Sequence, residues 1–205
     1  MSTLYIALIA DAAASRHLSP RERATLQDQL RHALRDLNKR YAKALAAQFA
    51  VTLGDELQCL LTDTRLVWDI SHYIRHRFAA VDWIVACGKG NVTTRLTRGI
   101  TAPEVDGPCF HAARAALEQA KHDRRLLALG GFDLGQLDAF TSYYSALYWS
   151  WTANQRREAN RWRSSPAGPD DDTRHPTTFS HLRRRMAWPL VQEGDKIFRA
   201  LLEAS

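Results

Sequence analysis

No apolar run in this chain approaches the ~18 residues a membrane span needs. The N-terminal run from Leu4 to Ala10 is too short for a signal peptide and lacks its basic flank. Membrane insertion and secretion therefore fall away, and the expectation is a cytoplasmic protein. Cysteine is scarce. Cys59, Cys87 and Cys109 fit no metal-ligand spacing, and Cys59 and Cys87 lie in apolar runs, so they read as buried thiols of a reducing compartment. His72 and His76 stand four apart on a predicted helix, but Tyr73 occupies the place of a zincin glutamate. A solvated helix face is the better reading than zinc. No internal repeat divides the chain. Acid is in deficit, with 28 Lys and Arg against 22 Asp and Glu. The resulting charge of +6 permits a polyanionic partner without requiring one.

What is present centres on Val51-Thr52-Leu53-Gly54-Asp55-Glu56-Leu57-Gln58-Cys59-Leu60-Leu61. Two apolar runs of strand length flank Gly54-Asp55-Glu56, which predicts a β-hairpin with two carboxylates at its tip. Paired acids repel unless something positive lies between them, a metal ion or an arginine. Asp11 ends a second apolar run, Leu4 to Ala10. If those strands are neighbours, Asp11 approaches Asp55. From spacing alone the site stays open between a divalent metal and pairing of Asp11 with Arg16 or Arg114.

Around these acids the elements follow in order. Ser19, Pro20 and Glu22 form a capping box that starts a helix, with Leu26, Leu30, Leu34, Leu37, Tyr41 and Leu45 at helical spacing. Strands are predicted at 49–53 and 57–61, and a helix from Leu66 to Phe78. A strand from Val81 to Cys87 closes on Gly88-Lys89-Gly90, a third helix follows Asp106-Gly107-Pro108, and a short last strand spans Leu126 to Leu129. This β-α-β-β-α-β order is the ferredoxin-like plan, an α+β fold with an antiparallel sheet and helices on one face. His111, beside an apolar face, reads as a core or rim histidine.

Beyond about Gly131 the texture becomes helical and aromatic. The expected division is 1–130 and 131–205, with a cap at Thr152 and a loop over 164–176 containing three prolines and Asp170-Asp171-Asp172. Thr177 to Met186 reads as a basic helix. On it Thr178, Ser180 and His181 suit phosphate or base edges, and Arg183, Arg184 and Arg185 suit phosphates or guanine. The bland alternative is a solvated helix packed through Phe179, Leu182 and Met186.

Two groups of motifs resemble the SatD family, whose members join a nucleotide-cyclase-like domain to a helix-turn-helix. One is Tyr5-Ile6-Ala7-Leu8-Ile9-Ala10-Asp11 with Ser15-Arg16 and Leu53-Gly54-Asp55-Glu56-Leu57-Gln58. The other is Asp106-Gly107-Pro108-Cys109-Phe110-His111-Ala112-Ala113-Arg114. The resemblance implies a cyclase-like palm in which Asp11, Asp55 and Glu56 hold Mg²⁺ or Mn²⁺. It further implies a nucleotide along Ser15 and Arg16, with Arg98, His111 and Arg114 as partners. A homodimer and a degenerate helix-turn-helix contacting DNA are implied as well. Ala10, Ala14 and Ala86 stand where relatives tend to carry glycine. His111 and Arg114 are three apart where class III cyclases space an Asn and an Arg by four. The leading expectation is therefore a regulatory protein that binds a nucleotide or phosphorylated ligand. The rivals are an active nucleotidyl cyclase or other phosphoryl-transfer enzyme, and an inert interaction module.

Overall fold

The computed structural model describes residues 3–13, 15, 18–52, 55–133, 135–165 and 176–205. Five strands form one sheet in the order β2-β3-β1-β4-β5, namely β1 (Tyr5–Ala12), β2 (Leu45–Thr52), β3 (Glu56–Leu61), β4 (Trp83–Gly90) and β5 (Leu127–Gly130). The helices are α1 (Pro20–Arg40), α2 (Leu66–Arg77), α3 (Pro108–His122), α4 (Gly135–Ser150), α5 (Ala153–Ser164), α6 (Pro176–Arg185) and α7 (Trp188–Ala204).

The sheet is mixed rather than antiparallel. β1 pairs antiparallel with both β3 and β4, but β5 joins β4 in parallel. A parallel pair needs a crossover, and α3 supplies it. The helices accordingly cover both faces, not one. Leu26, Leu30, Ala33 and Leu37 of α1 pack with α2 and the helices α4–α7 on the face of Ile6, Leu8 and Ala10. Cys109, Ala113, Leu117 and Ala120 of α3 pack on the other, against Ala7, Ile9 and Ala86.

Both predicted caps form. Ser19 and Glu22 exchange hydrogen bonds at the start of α1, and Thr152 and Gln155 do so at the start of α5. Other boundaries moved. α1 stops at Arg40 with Tyr41 as its cap residue, and Leu45 opens β2 instead of extending the leucine ladder. The segment around Leu45 is alanine-rich and suits a helix, but pairing Leu45 with Leu61 of β3 outweighs that propensity. Gly88-Lys89-Gly90 continues β4 rather than ending it. A Cβ on Gly88 would stand 2.0 Å from the Cys109 carbonyl oxygen and 2.3 Å from the Ala113 nitrogen, so the glycine lets the α3 backbone touch the strand.

His72 and His76 do not form a solvated face. His72 is buried against Trp68, with Nδ1 3.2 Å from Asn160 Oδ1, and His76 is half-buried. Burial, then the nearby Arg163 and Arg75, hold the His72 pKa well below its usual value, so the ring is neutral. All three cysteines are free and buried as expected. Among the described residues no helix is long and apolar enough to cross a membrane.

Candidate functional site

Asp11 lies inside β1, not past its end, and on the side of Ala7 and Ile9 because side chains alternate along a strand. Its register partner on β3 is Glu56, and the backbone N–H of Ala12 donates to the Asp55 carbonyl at 3.3 Å. Glu56 is the first residue of β3, opposite Thr52, rather than a member of the hairpin tip. Leu53 and Gly54 lie outside the described residues. The three acids thus gather at one end of β1 and β3, beneath α3.

Their partners differ. Glu56 is 2% exposed and fully engaged. Arg114 donates Nη1 to Oε2 at 2.5 Å and Nη2 to Oε1 at 2.9 Å. Oε1 also accepts from Thr52 Oγ1 at 2.7 Å and Gln58 Nε2 at 2.6 Å. Burial pushes the Glu56 pKa up, but these donors more than offset it and hold it below the usual value. Asp11 faces Lys121 Nζ at 3.3 Å. Its pKa is raised, first by burial and further by the charges of Asp55 and Glu56, which Lys121 only partly offsets. Asp55 accepts a short hydrogen bond from the Ser15 hydroxyl. Arg114 pairs with Glu56, not Asp11. Among the described residues, no group of three or more His, Cys, Asp or Glu side chains is arranged to hold a metal ion.

The other expected positions fall elsewhere. Arg16 lies outside the described residues. His111 is exposed rather than core, and its Nε2 stands 3.3 Å from Asp106 Oδ1 near the start of α3. That is ten residues from Lys121, or about 15 Å along a helix. Arg98 is exposed on the connection between β4 and a 3₁₀ turn, Ala102–Glu104. On α6, Thr178, Ser180, His181, Arg184 and Arg185 are exposed, while Arg183 is half-buried over the Phe179 ring at 5.4 Å. Of the expected loop, 166–175 lie outside the described residues.

Lys121, Thr52 and Gln58 escaped the sequence reading. Lys121 follows Arg114 by seven residues, two helical turns, so the two share a face. Gln58 follows Glu56 by two on a strand and therefore points the same way. Both signals are visible once α3 and β3 are placed.

The family model of SatD matches residues 5–128. The chain belongs to the SatD family. The match includes Asp11, Asp55, Glu56, Arg114 and Lys121, and α4 to α7 lie beyond it. No curated protein matches the chain.

The two acids of this SatD chain carry opposite pH signatures. Asp11 has a folded pKa above its unfolded value near 3.8, so the folded state binds the proton more tightly. Its charge destabilises the fold increasingly as pH rises from there, and fully above the folded pKa. Asp11→Asn is expected to raise the melting temperature at neutral pH, with the gain fading below pH 3.8. Glu56 has the reverse sign. Its stabilisation is full above 4.5 and disappears as pH falls through its lower folded pKa. Glu56→Gln is expected to lose about 1.5–3 kcal/mol at neutral pH, from charge-assisted hydrogen bonds to a buried group. Thermal unfolding of both variants across pH 2.5–7 (roughly the range spanning carboxylate titration) checks the pair. Equal melting curves for Asp11→Asn and the unaltered chain at pH 7 would contradict the Asp11 assignment.

Proposed function

We propose that this SatD protein is a regulatory module whose sheet binds a phosphorylated ligand, a nucleoside triphosphate in the first instance, with one divalent cation at Asp11 and Asp55. One observation carries the reading. Asp11 is a carboxyl group whose charged form burial disfavours, held 3.3 Å from the Nζ of an exposed lysine, Lys121, that can turn away. A fold that keeps such a charge gives up stability for binding. Mg²⁺ commonly takes only one or two carboxylates and completes its shell with water and substrate phosphates, so two acids suffice. Glu56 drops out of the ligand set in this reading, because its oxygens are already taken by four donors. When bound, the cation supplies charge neutralisation for the phosphates. Lys121 is then released from Asp11 toward a phosphate oxygen, and Arg114 stays with Glu56.

The order β2-β3-β1-β4, with β1 between the hairpin and β4, supports a cyclase-like palm for this half of the chain. Binding without turnover is favoured because His111 engages Asp106 near the far end of α3 from Lys121. The exposed residues of α6 form the surface through which the ligand state would reach DNA in this reading.

Calorimetry with ATP and with GTP, each with and without Mn²⁺, tests it. Metal-dependent binding to the unaltered chain, lost in Asp55→Asn, is expected. No binding, or equal binding to both chains, defeats the proposal and leaves an inert module. Mass spectrometry of the same mixtures is expected to show no new product, and a cyclic nucleotide would establish the enzyme. A gel shift at low salt, with and without the triphosphate, reads the output; no shift retires the DNA portion.

A further inference from the structure

A second polar cleft lies behind the sheet, at the opposite face from α3. It has a volume of about 150 Å³ and is formed by the turn between α2 and β4 and by the start of α5. The chemistry comes from Arg75, Asp82, Tyr148, Arg156, Arg157 and Asn160. Three arginines and one aspartate therefore line it.

Arg75 is the decisive residue. It is 2% exposed. Nε donates to the Trp83 carbonyl at 3.2 Å and Nη2 to the Leu126 carbonyl at 2.5 Å, but Nη1 has no partner among the described residues. Among the described residues, no carboxylate stands within ion-pair distance of it. Buried arginines are normally paired, since an uncompensated charge in a low-dielectric interior is strongly disfavoured. The other charged groups around Arg75 do not repair this. Arg163 repels it, His72 is neutral, and Asp82 is shared with two other donors. Arg156 Nη2 reaches Asp82 Oδ2 at 3.3 Å, and the Tyr148 hydroxyl reaches Oδ1 at 3.3 Å. Arg157 is exposed at the rim. Ala153, the first residue of the 12-residue helix α5, also lines the cleft, and helix starts attract anions through free N–H groups and the aligned peptide dipoles.

We propose that this cleft binds a dianionic phosphate group, free or as a phosphomonoester, through Arg75, Arg156 and Arg157. Arg75 brings its one unpartnered donor, Nη1, and Arg157 brings a guanidinium fork from the rim. Arg156, held by the Trp151 carbonyl and Asp82, gives up its Asp82 contact to the anion. The volume equals that of an internal cavity able to hold a benzene-sized guest. The site is separate from Asp11, which lies on the other face of the sheet with Ala7 and Ile9, and Asp55 does not line it. Its walls belong to the sheet's connections on one side and to α4 and α5 on the other, so an occupant clamps the C-terminal helices to the sheet. Binding to the folded state alone raises stability by mass action.

The experiment uses the full chain in EDTA at constant ionic strength, which removes the metal-dependent mode. Calorimetry with inorganic phosphate, with AMP, and with chloride as control gives the affinities. Saturable binding of phosphate or AMP is expected, weakened about tenfold or more in Arg157→Ala, an exposed position whose loss leaves the fold intact. Asp82→Asn is expected to tighten binding by removing the competing carboxylate, a gain that a merely structural role would not produce. Tighter AMP than phosphate identifies an esterified ligand, and the reverse identifies the free ion. Asp55→Asn is expected to bind phosphate like the unaltered chain, which separates this site from the metal-dependent one. No saturable heat with either anion, or equal affinities in the unaltered chain and Arg157→Ala, overturns the proposal.

Discussion

Asp195→Ala is expected to cost about 3–5 kcal/mol of unfolding free energy, the characteristic loss when one partner of a buried ion pair is removed. Asp195 on α7 and Arg163 on α5 are almost wholly excluded from solvent, with side chains 7% and 3% exposed. They meet fork to fork, Nε to Oδ2 at 2.7 Å and Nη2 to Oδ1 at 3.0 Å. The guanidinium sits among the rings of Trp68, Tyr144 and Trp188, 5.0 to 5.8 Å from their centroids. It cannot escape the loss of its partner by shedding a proton. A guanidinium stays protonated throughout the working pH range even when buried. Burial lowers the Arg163 pKa, but with Asp195 in place Tyr144 and Asp195 raise it by more than burial lowers it. Without Asp195, a cation remains in an apolar box that joins α2, α4, α5 and α7. Urea unfolding followed by tryptophan fluorescence measures the loss. The double variant Arg163→Met with Asp195→Leu is expected to recover much of it, because two well-packed apolar side chains remove the desolvation cost along with the attraction. A single variant as stable as the unaltered chain would refute the account.

Gly88→Ala is expected to cost about 3 kcal/mol, the upper end for overpacking a core, and to abolish the metal-dependent ligand response as well. The added Cβ meets backbone atoms of α3 rather than the movable end of a side chain. Relief therefore requires the helix to shift. Gly130 on the adjacent strand touches the same helix, with its hypothetical Cβ 2.5 Å from the Ala112 carbonyl oxygen, so α3 rests on two glycines at once. A shifted α3 takes Arg114 away from Glu56 and Lys121 away from Asp11. Urea midpoints together with calorimetry against Mn²⁺ and ATP check both consequences. A Gly88→Ala chain with an unchanged midpoint would mean that α3 does not lie where the structure has it.

Much of this was readable from short-range chemistry. Ser19 with Glu22 and Thr152 with Gln155 each complete a capping box within four residues, so both helix starts could be placed without the rest of the chain. The Leu26, Leu30 and Leu37 repeat likewise marked a buried face. The approach of β1 to the hairpin was anticipated from element order, and the two strands do pair. The errors share a cause in partners distant along the chain. Leu45 left its helix for Leu61, His72 was buried by Asn160 and Trp68, and Gly88 stayed in its strand because α3 crosses it. Glu56 appeared to belong to a solvated tip. Its satisfaction depends on Arg114, 58 residues away.

The amino-acid sequence by itself determined the family, the acids at the ends of two apolar runs, and the starts of the major helices. These depend on residue identity and on hydrogen bonds between near neighbours. Tertiary structure alone decided how those acids are neutralised and that Arg75 lies buried with no carboxylate in ion-pair reach among the described residues. The physical reason is that a charge's state depends on burial and on counter-charges brought in from remote segments, and neither quantity is written in local spacing.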